Sequence, residues 1–193
     1  MSKGKGSGEA WWWVGAAALA VVVWGGGKVA GVYAATAETA HPELEALRTP
    51  IAKNVMLVFW DYDTPTQIAV AQLLMAQAWI ESRGKASAVG DAGFSVGPSI
   101  GPLQVSRGTA IDLGLWTPPD DATPDEERAA YRAKVTDTDW CVWAGAKVWR
   151  AKLSAAGGDL FDAVRRYNGG GALAAAYQDK ALGVAEALYP GTT

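Results

Sequence analysis

One carboxylate in this chain of 193 residues stands in an unusual setting. Glu81 follows Leu74, Ala78, Trp79 and Ile80, where an apolar helical pattern gives way to Arg83 and Gly84. Loss of water around the carboxyl and the negative end of the helix dipole both disfavour its charged form. A glutamate placed this way holds its proton more strongly than a free one and can donate it near neutral pH. The competing role is a glutamate at the solvent edge of the helix, facing Arg83 or Lys85. The remaining acids read more plainly. Asp61 and Asp63 flank Tyr62 at a turn, Asp91 lies in a loop, and Asp112 lies on the next helix, so turn formation and surface solvation account for them. Cys141 is the single cysteine, which excludes an intrachain disulfide and leaves no second thiol for a zinc site. With no histidine nearby, it reads as a small buried residue and not a nucleophile. No metal or cofactor is implied.

The elements that must position Glu81 are helical. Thr64-Pro65-Thr66-Gln67 offers a capping hydroxyl, proline at the first helical position and glutamine three residues after the cap, which predicts a helix ending at Gly84. Thr123-Pro124-Asp125-Glu126 repeats that signature ahead of a helix to about Ala133. Asp137 or Thr138 caps a third helix running to Gly157, and Asp159 a shorter one that stops at Asn168-Gly169. Between Gly90 and Gly108 glycine, proline and serine dominate, so this segment reads as loops with a small hairpin. Trp140, Trp143 and Trp149 recur at helical spacing and are expected in the core, whereas Trp116, beside Thr117-Pro118-Pro119, suits the rim of a groove.

The amino-terminal part has a different composition. Residues 1–10 are a polar tail with Lys3 and Lys5. Residues 11–33 carry one charge, Lys28, and at ~1.5 Å rise per residue are long enough to cross a ~30 Å hydrocarbon layer. Trp11, Trp12 and Trp13 at one end, with Trp24 and Tyr33 at the other, suit interfacial belts. This is expected to be a transmembrane helix, the alternative being a signal peptide cleaved after Ala35-Thr36-Ala37. Both export the rest of the chain beyond the cytoplasm. Residues 34–50, with His41, read as a linker, and residues 51–193 as one folded domain. From Ala34 onward acidic residues outnumber basic ones by 19 to 14, with no basic stretch interleaved with aromatics, which argues against nucleic-acid binding.

Around Glu81 several short motifs follow in order: Ala78-Trp79-Ile80-Glu81-Ser82, then Ala88-Val89-Gly90-Asp91-Ala92-Gly93, Ile100-Gly101-Pro102-Leu103-Gln104-Val105, Gly108-Thr109-Ala110, and Ala163-Val164-Arg165-Arg166-Tyr167-Asn168-Gly169-Gly170. This order resembles the catalytic domain of the soluble lytic transglycosylases over roughly Thr64 to Tyr177. That family has Glu-Ser at a helix end, a Gly-x-x-Gln loop before a Thr-Ala helix start, and an Ala-x-x-x-Tyr-Asn-x-Gly segment. The resemblance implies a mainly α, lysozyme-like domain with a small loop or hairpin region. It implies Glu81 as the catalytic acid, Gln104 and Tyr167 lining a saccharide groove, Ser82 beside the acid, and Asn168 shaping the site from a helix end. Read alone, Gln104 is a loop amide, Tyr167 a half-buried aromatic and Asn168 a helix stop. Where the family carries serine, this chain has Gly90, and Ser99 stands in the loop to substitute for it. Phe94–Pro98 lengthens the loop, and Leu103 and Val105 flank Gln104 in place of the usual methionine.

Such an enzyme cleaves the β-1,4 bond between N-acetylmuramic acid and N-acetylglucosamine in peptidoglycan strands, leaving 1,6-anhydro ends. It uses one carboxyl and the substrate's own C6 hydroxyl, whereas ordinary glycosidases use two carboxylates ~5–9.5 Å apart. The expected partners are thus glycan strands and, through residues 11–33, a lipid membrane. The setting is a bacterial envelope or a bacteriophage virion opening the wall. A hydrolytic muramidase, and a non-catalytic structural membrane protein with a lysozyme-like fold, are the alternative readings.

Overall fold

Helix starts in this protein are set by side-chain oxygens that take up backbone N–H groups otherwise left without partners. The computed structural model describes residues 42–90, 99–169 and 171–189. Among them are α1 (Pro42–Val58), α2 (Thr64–Ser82), α3 (Arg107–Asp112), α4 (Pro124–Val135), α5 (Thr138–Ala155), α6 (Leu160–Tyr167) and α7 (Ala172–Leu188). The Thr123 and Glu126 side chains form a reciprocal capping box on α4, Asp137 accepts from Trp140 N on α5, and Asp159 accepts from Phe161 N and Asp162 N on α6. The cap of α2 is Asp63, which accepts from Thr66 N at 2.9 Å, and not Thr64, which is already the first helical residue. Proline still occupies the first turn, where its missing N–H costs nothing.

One expectation about the ends of the domain is corrected. The break at residue 50 falls inside a helix, because α1 runs from Pro42 through Pro50 to Val58. Leu44, Leu47, Ile51, Val55 and Val58 make one buried stripe at spacings of three and four, and burial of that stripe outweighs the helix-breaking tendency of the proline. The side-chain amide of Asn54 donates to Pro50 O at 3.0 Å. The folded unit therefore begins by residue 42. At the other end α7 carries no start signal, since Gly171 (φ 79) precedes it without a side-chain cap; packing, not capping, defines it. The span expected over residues 11–33 lies outside the described residues, and among the described residues no helix is long and apolar enough to cross a membrane.

The arrangement is mainly helical. α1 packs on α2 and α5, α2 on α7, and α6 bridges α5 and α7. Inside this set Trp149 Nε1 donates to Gln77 Oε1 at 2.6 Å, both residues fully buried, so a polar pair ties α2 to α5 where an unpaired group would be costly. Trp149 is core as expected, while Trp140 and Trp143 are only partly buried at its margin. Trp116 packs edge-on against Tyr131, ring centres 5.0 Å apart. Between α2 and α3 there are no strands among the described residues; isolated antiparallel bridges pair Val89 with Ile100 and Ile100 with Val105, with Gly90 N to Ser99 O at 2.9 Å and Gly101 N to Ala88 O at 3.0 Å. These pairings are what the described residues contain of the expected hairpin.

Gly84 shows how tightly the end of α2 meets the start of α1. It has φ +80, and a Cβ there would come within 2.8 Å of Leu44 N and 2.9 Å of Glu43 C. Gly84→Ala combines left-handed strain with a backbone collision, and should lower unfolding free energy by about 2 kcal/mol or more. Urea denaturation monitored by far-UV circular dichroism checks this; an unchanged midpoint would show that the start of α1 does not rest on Gly84.

Candidate functional site

α2 ends abruptly just after Glu81. Arg83 turns left-handed (φ 58) and its N–H returns to Ala78 O and Trp79 O, and Gly84 N reaches Ala78 O at 3.1 Å. This stop leaves Glu81 half-buried in the last helical turn. Facing it is α7, which brings the small buried residues Ala174 and Ala181 and, between them, Tyr177. The Tyr177 hydroxyl donates to Glu81 Oε1 at 2.6 Å across 96 residues of sequence. Burial foremost, and the Glu81 carboxylate next, hold the Tyr177 phenol far above its ordinary range, so it stays a proton-bearing donor. The same two causes, in the same order, raise the Tyr167 phenol. Among the described residues, Glu81 is the carboxylate whose charge bears on both rings.

The second wall is the segment from Gly101 to Val105, whose carbonyls are taken up one after another by side chains. Gln104 Nε2 donates to Gly101 O at 2.8 Å and to Ala88 O at 3.1 Å. Ser82 Oγ lies 2.8 Å from Pro102 O, Tyr167 donates to Leu103 O at 3.0 Å, and Tyr131 to Val105 O at 2.9 Å. The segment is seated on α5 at two glycine contacts. A Cβ on Gly101 (φ +86) would lie 2.7 Å from Cys141 Sγ, and one on Gly145 would collide with the Leu103 side chain. Cys141 is buried, and burial pushes its thiol up to about 11, which fits the packing role expected for it and not a nucleophile.

The residues singled out from sequence are therefore placed unequally. Glu81, Tyr167 and Gln104 meet around one wall. Ser82 is not directed at a ligand: it is buried, its oxygen also 2.9 Å from Ala78 O and accepting from Gly84 N at 3.0 Å, so its hydrogen-bonding capacity is spent within the turn. Ser99 enters through its carbonyl at the hairpin base. Asn168 is the exposed C-cap of α6, its N–H returning to Arg166 O, and its side chain makes no hydrogen bond among the described residues. Gln104 directs its amide nitrogen into the loop, and its Oε1 is buried with no hydrogen-bond partner among the described residues. Asp91 and the longer loop at 94–98 lie outside the described residues. Among the described residues no cluster of three or more His, Cys, Asp or Glu could hold a metal.

Tyr177 is the residue that sequence reasoning passed over. Its signal was weak, since the run Ala174-Ala175-Ala176-Tyr177 carries no cap and no polar partner nearby. Tyr177 supplies from α7 the hydroxyl bound to the Glu81 carboxyl. Gly90 has its own reason to be glycine: a Cβ at that position would run into Gln104 Oε1.

Comparison of the chain with family models, with curated proteins and with solved structures finds no match.

The Gly90 contact yields a test. Gly90→Ser should force the Gln104 amide away from Ala88 O and Gly101 O and lower stability by about 1–3 kcal/mol, and the same change made in a Gln104→Ala background should cost much less. A double-mutant cycle by urea denaturation measures this coupling. Equal costs in the two backgrounds would mean that the two residues do not meet.

Proposed function

We propose that this protein is a peptidoglycan lytic transglycosylase with a lysozyme-like domain, held at a membrane through residues 11–33 with its folded part outside the cytoplasm. The observation that carries the reading is the single carboxyl of Glu81, gripped on one oxygen by Tyr177 beside the braced segment from Gly101 to Val105. The Tyr177 hydroxyl fixes Oε1 and with it the rotamer of the carboxyl. A glycosidase that activates water, or attacks through a second carboxylate, needs another acid within ~5–9.5 Å; Asp112, on α3, is exposed.

In the proposed reaction protonated Glu81 donates to the oxygen of the β-1,4 bond, and that oxygen leaves with N-acetylglucosamine as an alcohol. The C6 hydroxyl of the muramic acid residue closes on C1, and its proton passes to Glu81, which restores the acid. Atoms balance without water, and the intramolecular attack gains the advantage of a nucleophile already in place. Tyr177 keeps the carboxyl in one rotamer through both transfers. Tyr167, whose hydroxyl is bound to Leu103 O, would offer its ring to a sugar face. Wall opening by a bacterium or by a virion would use the same chemistry.

Full-length protein in detergent, incubated with purified peptidoglycan, should release fragments with 1,6-anhydromuramic ends, detected by mass spectrometry, and Glu81→Gln should release none. Reducing ends would replace this reading with a hydrolase, and no release by folded wild type would replace it with a structural role. Tyr177→Phe should retain the fold and the KM while kcat falls on the order of tenfold, the loss of one charge-assisted hydrogen bond.

A further inference from the structure

The end of the molecule opposite Glu81 carries an apolar surface that the proposed reaction does not use. α1 and α2 are antiparallel neighbours: Leu44 near the start of α1 lies against Gly84 just beyond the end of α2, and Gln67 in the first turn of α2 donates to Phe59 O just beyond the end of α1. At this second junction Met56, Leu57 and Trp60 are 55%, 61% and 75% exposed. Three large apolar side chains within five residues, two of them more than half exposed beside a tryptophan, form the kind of patch that soluble surfaces avoid.

The charges around the patch are compensated. Asp61 is held in a two-point pair by Arg150, at 2.8 and 2.7 Å, which lowers its carboxyl below the usual range, and the Arg150 guanidinium also lies over the Tyr62 ring. Asp63 is engaged at the positive end of α2. Lys53, one turn before Met56 and Leu57, lies 3.2 Å from Asp139 with most of its side chain in water. Methionine, leucine and tryptophan, flanked by a lysine and with no unpaired acid adjacent, suit a lipid interface, where indole rings settle at the level of the headgroups.

We infer that Met56, Leu57 and Trp60 dock on the membrane surface, so that the domain rests on the bilayer by its α1–α2 turn with Glu81 directed away from it. The inference rests on the anchor reading of residues 11–33, and chain length is consistent with it. Pro42 sits at the Glu81 end, so the connection back to the bilayer must descend roughly the length of α2, whose 19 residues rise about 27 Å. The eight residues between Tyr33 and Pro42 reach at most about 30 Å. The connection is long enough for the turn to touch the membrane and too short for the domain to rise far above it. The acid is thereby presented about 27 Å above the lipid, to glycan and not to headgroups.

Full-length protein reconstituted in phosphatidylcholine and phosphatidylglycerol vesicles tests this with two readouts. Trp60→Cys and, as control, Ala129→Cys on the exposed side of α4 are labelled with an environment-sensitive dye; Cys141 is buried and does not compete. Both labelled proteins should float with the vesicles. The dye at position 60 should shift to the blue and lose emission when the lipids carry brominated acyl chains, while the dye at position 129 should do neither. Flotation without a shift at position 60 would overturn the docking and leave the anchor standing. A blue shift without quenching by brominated lipid would also overturn it, assigning the patch to a second copy or to another segment of this chain. Failure of both proteins to float would overturn the anchor and the docking together.

Discussion

The turn that ends α2 and the segment from Gly101 to Val105 behave as one hydrogen-bonded piece, joined by the Ser82 hydroxyl. That oxygen touches Ala78 O within its own helix, Pro102 O across the loop and Gly84 N beyond the helix end. It is buried, so the bond its one proton makes, within reach of both carbonyls, and the bond it accepts from Gly84 N are worth more than the same bonds in water. Glu81 is covalently next to this junction. The position of the acid relative to the wall beside it is thus set by a hydroxyl that itself faces no ligand, which gives the Glu-Ser pair a mechanical meaning.

Around that junction the loop is braced from every helix it passes. Tyr131 reaches it from α4, Tyr167 from α6, and α5 lies beneath it with Gly101 against Cys141 and Leu103 against Gly145. Cys141 and Gly145 are one helical turn apart, so the two contacts lie on one face of α5 and fix the loop in a single register. Gln104 completes the frame with a left-handed backbone (φ 48), a conformation costly for a residue with a side chain and here stabilised by two amide hydrogen bonds. Strain of this kind persists only where the surroundings over-determine it, and at Gln104 they do.

The sequence was informative where structure is local. Caps on α4, α5 and α6 and the stop of α2 near Gly84 all follow from residues within a few positions of one another. Local signals misled where burial decided: residues 34–50 read as a linker, yet the stripe from Leu44 to Val58 packs as a continuous helix. They were silent where the partner is distant, as for α7, which has no cap. The same division runs through the site. Glu81 could be singled out from its neighbours alone, but that Gln104 braces the loop, that Gly90 makes room for it, and that Tyr177 holds the acid are facts of tertiary contact.

The bond between Tyr177 and Glu81 spans 96 residues, and that between Tyr167 and Leu103 spans 64. Contacts of such separation form only after the intervening chain has lost most of its freedom. α2 can exist early with its glutamate in place, while the phenol that grips it belongs to the last helix described, which starts without a cap and depends on α2 and α6 for its position. The Glu81 setting is therefore completed only by contacts between parts of the chain far apart in sequence. A partly unfolded chain carries the Glu81 carboxyl without the Tyr177 hydroxyl, so this contact reports on the integrity of the whole helical set.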